Sequence, residues 1–115
     1  MKLALLFVLS GSALAAAAAH AAEPRQPAVS GQAVYEKWCA PCHAPGPGHP
    51  GTQSLELKYN GKTPAVLLDR TDLTPQVVAT FVRQGVLLMA PFRKTEINDA
   101  ELNALSAFVA KNSRN

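Results

Sequence analysis

Cys39-Ala40-Pro41-Cys42-His43 is the stretch of this chain where chemistry-bearing side chains stand closest together. Its two cysteines are the only ones in 115 residues, and the histidine follows the second at once. Residues three apart on a helical turn share a face, so both thiols can approach one ligand from the same side. C-x-x-C-H is the attachment sequence for c-type haem. In that chemistry Cys39 and Cys42 form thioethers with the vinyl groups, and His43 places its imidazole under the iron as proximal ligand.

Other chemistries share part of the pattern. Trp38-Cys39-Ala40-Pro41-Cys42 also reads as a thioredoxin-type dithiol, which would make the protein a thiol oxidoreductase. That fold needs a buried strand leading into the motif, whereas Gln32–Lys37 is polar and helical in pattern. A zinc site from Cys39, Cys42, His43 and His49 lacks the dozen or so residues that separate ligand pairs in zinc modules. A plain disulfide would leave His43 and the following Gly/Pro loop without a task.

An electron-transferring haem iron takes a second axial ligand. Beyond residue 21, Met89 is the sole methionine, and His49 is the only histidine besides His43. Met89 lies in Gly85-Val-Leu-Leu-Met-Ala-Pro-Phe92, where Pro91 could stiffen the loop that presents its sulfur. A lone methionine also serves as core filler. His49, six residues past His43 on the proximal side, reads as a loop residue. A haem enzyme with an open iron site would require Met89 to stay off the metal.

The elements that must position these residues read as helices. Ser30 is a candidate N-cap, and Gly31, Val34, Tyr35 and Trp38 recur at helical spacing toward Cys39. Ala44 to Gly51, nearly all Gly, Pro and His, reads as a tight loop. Leu55 to Tyr59 fits a short helix or an alternating strand, closed by an Asn60-Gly61 turn. Thr63-Pro64 predicts a short helix to about Asp69. Thr74-Pro75 predicts a second, with Val77, Val78, Phe81 and Val82 as its apolar stripe and Gly85 as its stop. Asn98 and Glu101 form a capping-box pattern before Leu102, Leu105, Phe108 and Val109. The expected fold class is all-α, with four or five short helices.

Composition bounds the rest. Residues 1–21 carry Lys2, the apolar run Leu3–Leu9, and Ala19-His20-Ala21 as a cleavage pattern, and predict a secretory signal peptide. Residues 22–29 read as a flexible extension, and 30–115 as a single domain. The mature protein is then exported to a periplasm and keeps no membrane anchor. Its net charge falls from +3 by the loss of Lys2, too small for a nucleic-acid footprint. About 94 residues make a small core, and chains of that size usually need a staple such as a cofactor.

Gly31-x-x-x-Tyr35-x-x-x-Cys39-x-x-Cys42-His43, the Gly/Pro loop and Met89 before the last helix together resemble the class I cytochrome c family over residues 30–111. The resemblance implies a small cytochrome c fold around one covalently attached haem c, with His43 and Met89 as iron ligands. It also implies that the first helix crosses the last, so that Gly31 and Tyr35 meet Phe108. A carbonyl of Pro45, Pro47 or Pro50 would orient His43 through its other ring nitrogen. Arg70-Thr-Asp-Leu-Thr-Pro75, Phe81-Val-Arg-Gln-Gly85 and Met89-Ala-Pro-Phe-Arg-Lys-Thr-Glu-Ile97 further resemble cytochrome subunits of periplasmic flavocytochromes that oxidise 4-alkylphenols, such as p-cresol methylhydroxylase and eugenol hydroxylase. Those subunits often have proline directly after the ligand methionine, where this chain has Ala90. That resemblance implies an FAD-containing phenol-oxidising partner and a soluble electron acceptor, with no bond-making chemistry in this chain itself. A free carrier serving another periplasmic dehydrogenase is the alternative. Arg93 and Lys94 could steer an acidic partner or stand as a solvated pair, and Val86-Leu87-Leu88 could form an interface or line the haem pocket.

Overall fold

In a computed structural model, which describes residues 28–112, the chain folds into five α-helices and one 3₁₀ turn. The helices are α1 (Gly31–Trp38), α2 (Ala40–His43), α3 (Pro50–Tyr59), α4 (Pro75–Gln84) and α5 (Asp99–Asn112). No strand occurs among the described residues, and none of their helices is long and apolar enough to cross a membrane. The expected signal segment and most of the N-terminal extension lie outside the described residues.

Local chemistry sets most of the boundaries. The Ser30 hydroxyl accepts from the Ala33 N–H at the start of α1, and Thr74 does the same for the Val77 N–H at α4. At α5 the capping box is complete: Glu101 N–H donates to Asn98 Oδ1 at 2.9 Å, and Asn98 N–H donates to Glu101 Oε2 at 2.8 Å. Two expectations need correction. The helix expected from Thr63-Pro64 shrinks to a 3₁₀ turn at Leu67–Asp69, because Val66 before it is extended. The loop expected to run to Gly51 ends at His49, since Pro50 and Gly51 already form the first turn of α3.

The segment Leu55–Tyr59 is helical, as the C-terminal half of α3. Its two leucines share no buried face, Leu57 being 85% exposed, so hydrophobic alternation there reports nothing about packing. Thr52 holds the helix instead: it is fully buried, and its hydroxyl donates to the Ala44 carbonyl at 3.0 Å. Beyond α3, the buried Arg70 stacks on the Tyr59 ring and donates to the Tyr59 hydroxyl at 2.9 Å. It also grips Asp72 through two nitrogens, with Nε at 2.7 Å, and so ties the end of α3 to the approach of α4.

The core is the meeting of α1, α4 and α5, where Val34, Tyr35, Val78, Val82, Leu102, Leu105 and Val109 are buried with Ile97 from the preceding loop. Only half of the predicted α4 stripe takes part, because Val77 and Phe81 stay partly exposed. The α1–α5 crossing is close enough to exclude a side chain. A Cβ on Gly31 would lie 2.1 Å from the Ala104 carbonyl oxygen and 2.8 Å from Phe108 Cβ. Next to it, the Tyr35 and Phe108 rings sit 5.8 Å apart, as the family resemblance implied. Gly31→Val should therefore destabilise the protein by about 3 kcal/mol, at the upper end of ordinary overpacking costs. Urea unfolding measures this, and a loss below ~0.5 kcal/mol, the usual range of surface changes, would refute so close a crossing.

Candidate haem site

The attachment turn is a short helix held from outside by other elements. Cys39 caps the end of α1, donating its N–H to Tyr35 O, and the chain re-enters helix at once with Pro41 in the first turn. Cys42 and His43 N–H both donate to the Cys39 carbonyl, at 3.1 and 2.9 Å, so the two cysteines lie on one turn as their spacing requires. Both thiols are free. Cys42 is exposed, whereas Cys39 is half-buried and packs against the core.

Burial, with the neighbouring Cys42 adding to it, pushes the Cys39 thiol up to about 11. A disulfide-exchanging dithiol needs the opposite, a thiol lowered toward neutrality so that the thiolate can attack. With no strand feeding the motif, the thioredoxin-type reading finds no support in this fold. The zinc reading fails on placement: among the described residues no three His, Cys, Asp or Glu side chains converge on a point where a metal could sit.

His43 is half-buried, and burial lowers its pKa, which favours the neutral, metal-binding form of an imidazole. Its ring packs against Gly51, where a Cβ would come within 2.7 Å of Cε1 and 2.9 Å of Nδ1. The buried Nδ1 has no hydrogen-bond partner. None of the carbonyls of Pro45, Pro47 and Pro50 reaches it, which corrects the expectation of a proline acceptor. The reason is local: Pro50 and Gly51 start α3, and it is the bare glycine backbone that faces the ring. Tyr35, held protonated because burial pushes its phenol up to about 12, donates its O–H to the His43 carbonyl at 3.3 Å.

Met89 sits on a turn braced on both sides. Val86 and Met89 exchange N–H···O=C bonds, both 2.9 Å, which leaves Leu87 and Leu88 at the tip. Gly85 enters this turn at φ +68°, and a Cβ there would lie 2.5 Å from the Met89 carbonyl oxygen. After it, Phe92 N–H donates to Val82 O at 2.8 Å, while Arg83 from α4 donates to the Phe92 carbonyl at 3.2 Å and to Asp99 at 3.0 Å. Met89 is half-buried against the same core as Trp38, Cys39 and Ala40, and the Trp38 and Phe92 rings meet edge-on at 5.7 Å. The fold thus brings the start of the motif, Cys39 and Ala40, and Met89 to one cluster. His49 stands outside that cluster but against the motif, its Nδ1 3.1 Å from the Pro41 carbonyl.

These features fit a bound haem. Two free thiols on one turn and the half-buried, neutral-favouring His43 imidazole, its Nδ1 edge seated against the Gly51 cradle, are the donor set a c-type haem needs. The tip residues Leu87 and Leu88, 91% and 95% exposed, are apolar surface that the protein alone leaves uncovered. Arg93 and Lys94 are exposed and each has a local partner, Arg93 with Glu96 and Lys94 with Asp99 at the start of α5 at 2.8 Å.

Residues 26–109 match the family model described as Cytochrome C oxidase, cbb3-type, subunit III. The chain belongs to this family. It is accordingly a c-type cytochrome domain, an electron-transfer haem protein whose family binds haem c covalently and works with redox partners. The all-helical small fold around the α1–α5 crossing agrees with that membership. Comparison with curated proteins and with solved structures gives no match. Sequence reasoning named the four candidate residues but missed Gly51 and Thr52, whose types alone give no sign that they pack on the motif.

Proposed function

We propose that the chain is an exported monohaem cytochrome that accepts single electrons from a flavoprotein oxidising 4-alkylphenols and passes them to a soluble acceptor. In this reading residues 1–21 are removed on export to the periplasm, Cys39 and Cys42 would hold the haem through thioethers, and His43 and Met89 would ligate its iron. The observation that carries it is that Cys39 and Ala40, which open the attachment turn, pack on the same apolar cluster as Met89, whose turn is braced by main-chain bonds. The flavoprotein partner rests on the likeness of segments 70–75, 81–85 and 89–97 to flavocytochrome subunits.

When bound, the haem supplies a one-electron iron couple. The chain contributes the rest. A neutral imidazole and a thioether favour the ferrous state more than harder ligands do, which raises the potential. With both His43 and Met89 as ligands, the iron would offer substrate no open position, so these residues would restrict the site to electron transfer. Trp38, Leu67, Leu68 and Phe92, partly buried against the same core, would give the cofactor apolar surroundings. The Leu87-Leu88 tip is the natural ground for apolar docking beside Met89.

The test mixes the host-matured protein, without oxygen, with a purified 4-alkylphenol-oxidising flavoprotein reduced by p-cresol. Haem absorbance in stopped flow should report two cytochromes reduced per phenol consumed. Reduction no faster than that by free reduced flavin would overturn the partner assignment. The family's description favours a second reading, electron delivery to a terminal oxidase, and rapid reoxidation by oxidase-bearing membranes would select it.

A further inference from the structure

We infer that His49 is a positioning residue for the haem-attachment turn, acting through a hydrogen bond from its Nδ1–H to the Pro41 carbonyl; the inference rests on the haem reading above. A helical carbonyl normally receives the N–H four residues on. In α2 the Cys39 and Ala40 carbonyls do so, from His43 and Ala44, both at 2.9 Å. The next in the series is the Pro41 carbonyl, whose partner would be residue 45. That residue is proline and has no N–H to give.

His49 supplies the donor that Pro45 lacks. Its Nδ1 lies 3.1 Å from the Pro41 oxygen. A carbonyl only accepts, so the proton must be on Nδ1, and the ring is held in the Nδ1–H tautomer. The same end of α2 is closed by two other side chains: the Tyr35 hydroxyl on His43 O, and the Thr52 hydroxyl on Ala44 O. Three donors, one from α1 and two from the start of α3, thus take carbonyls that the helix cannot satisfy itself. His49 is also the N-cap residue of α3, yet its side chain makes no capping bond there. Its ring is turned back to the cysteine turn instead. Gly46 and Gly48, at φ +94° and +88°, let the intervening loop double back over this short distance.

With the donor gone, the turn carrying Cys42 and His43 loses one of its outside ties, and water takes the place of the imidazole at the exposed Pro41 carbonyl. Water there favours the more highly charged oxidised haem, so the reduction potential should fall. The experiment uses the host-matured holoprotein and three variants. His49→Asn keeps an N–H where Nδ1–H stands; His49→Leu removes it; His49→Asp removes it while offering a better cap for α3. In the wild type, ¹⁵N correlation spectra should show His49 protonated at Nδ1. At pH 9, where an imidazole is uncharged, the potential of His49→Asn should match the wild type and that of His49→Leu should be lower.

A role confined to α3 capping predicts the reverse ranking in stability, with His49→Asp melting highest and all potentials of the neutral variants equal. That result, or an Nε2–H tautomer in the wild type, would overturn the assignment. Covalent pigment in all the proteins would leave the haem reading standing even then, whereas a wild type without pigment would sink both.

Discussion

Serine at both Cys39 and Cys42 should release every trace of haem into acidified organic solvent, while the wild type retains all of it in the protein fraction. Each single replacement leaves one thioether, so its pigment should stay with the polypeptide. The argument is geometric: both thiols are free, they share one helical turn, and His43 follows within it. The second expected effect is on the fold. A tether keeps the cofactor present at high effective concentration, and a ligand at 1,000 times its dissociation constant contributes about 4 kcal/mol to the native state. A core built from three short helices has little to set against that loss, so the double variant should melt far below the wild type. Extraction with solvent and a thermal scan by circular dichroism together decide the matter. Wild-type pigment that extracts freely would remove the thioethers, and with them the role of the motif.

The capped helix starts were legible because their information is local. Ser30, Thr74 and the Asn98–Glu101 pair satisfy N–H groups three residues away, so the sequence window contains both partners. The Thr63-Pro64 segment carries the same start signal and forms no α-helix, since a start signal does not supply a face to bury. Its residues reach the core only as a partly buried 3₁₀ turn. The site divides on the same line. Cys39, Cys42 and His43 are adjacent, and Met89 is conspicuous by scarcity, so composition finds it. Gly51, Thr52 and His49 act on carbonyls or a ring on another element, and only the fold brings those atoms within reach. Pro45 was the available clue to His49, because a proline four residues after Pro41 leaves a carbonyl without a partner.

Met89→Ala should lower the reduction potential by tenths of a volt, a substantial part of the ~0.8 V that axial ligands span. The methionine–iron absorption band should disappear, and added imidazole or cyanide should bind to the ferric protein at once. The substitution is clean because the backbone of the turn does not depend on the side chain. The reciprocal bonds between Val86 and Met89 are main-chain bonds, Gly85 fixes the entry, and Arg83 and Val82 fix the exit at Phe92. Alanine therefore removes the sulfur and leaves the loop where it was. No second methionine lies in the described residues, and His49 is committed to the Pro41 carbonyl, so no nearby group stands ready to replace the thioether. The same variant separates a carrier from an oxygen- or peroxide-binding enzyme. A wild type that already binds cyanide as fast as Met89→Ala would mean the iron is open and Met89 is core filler; a spectrum and potential unmoved by the change would mean the same. Slow cyanide binding in the wild type and fast binding in the variant place the sulfur on the iron and restrict this chain to passing electrons.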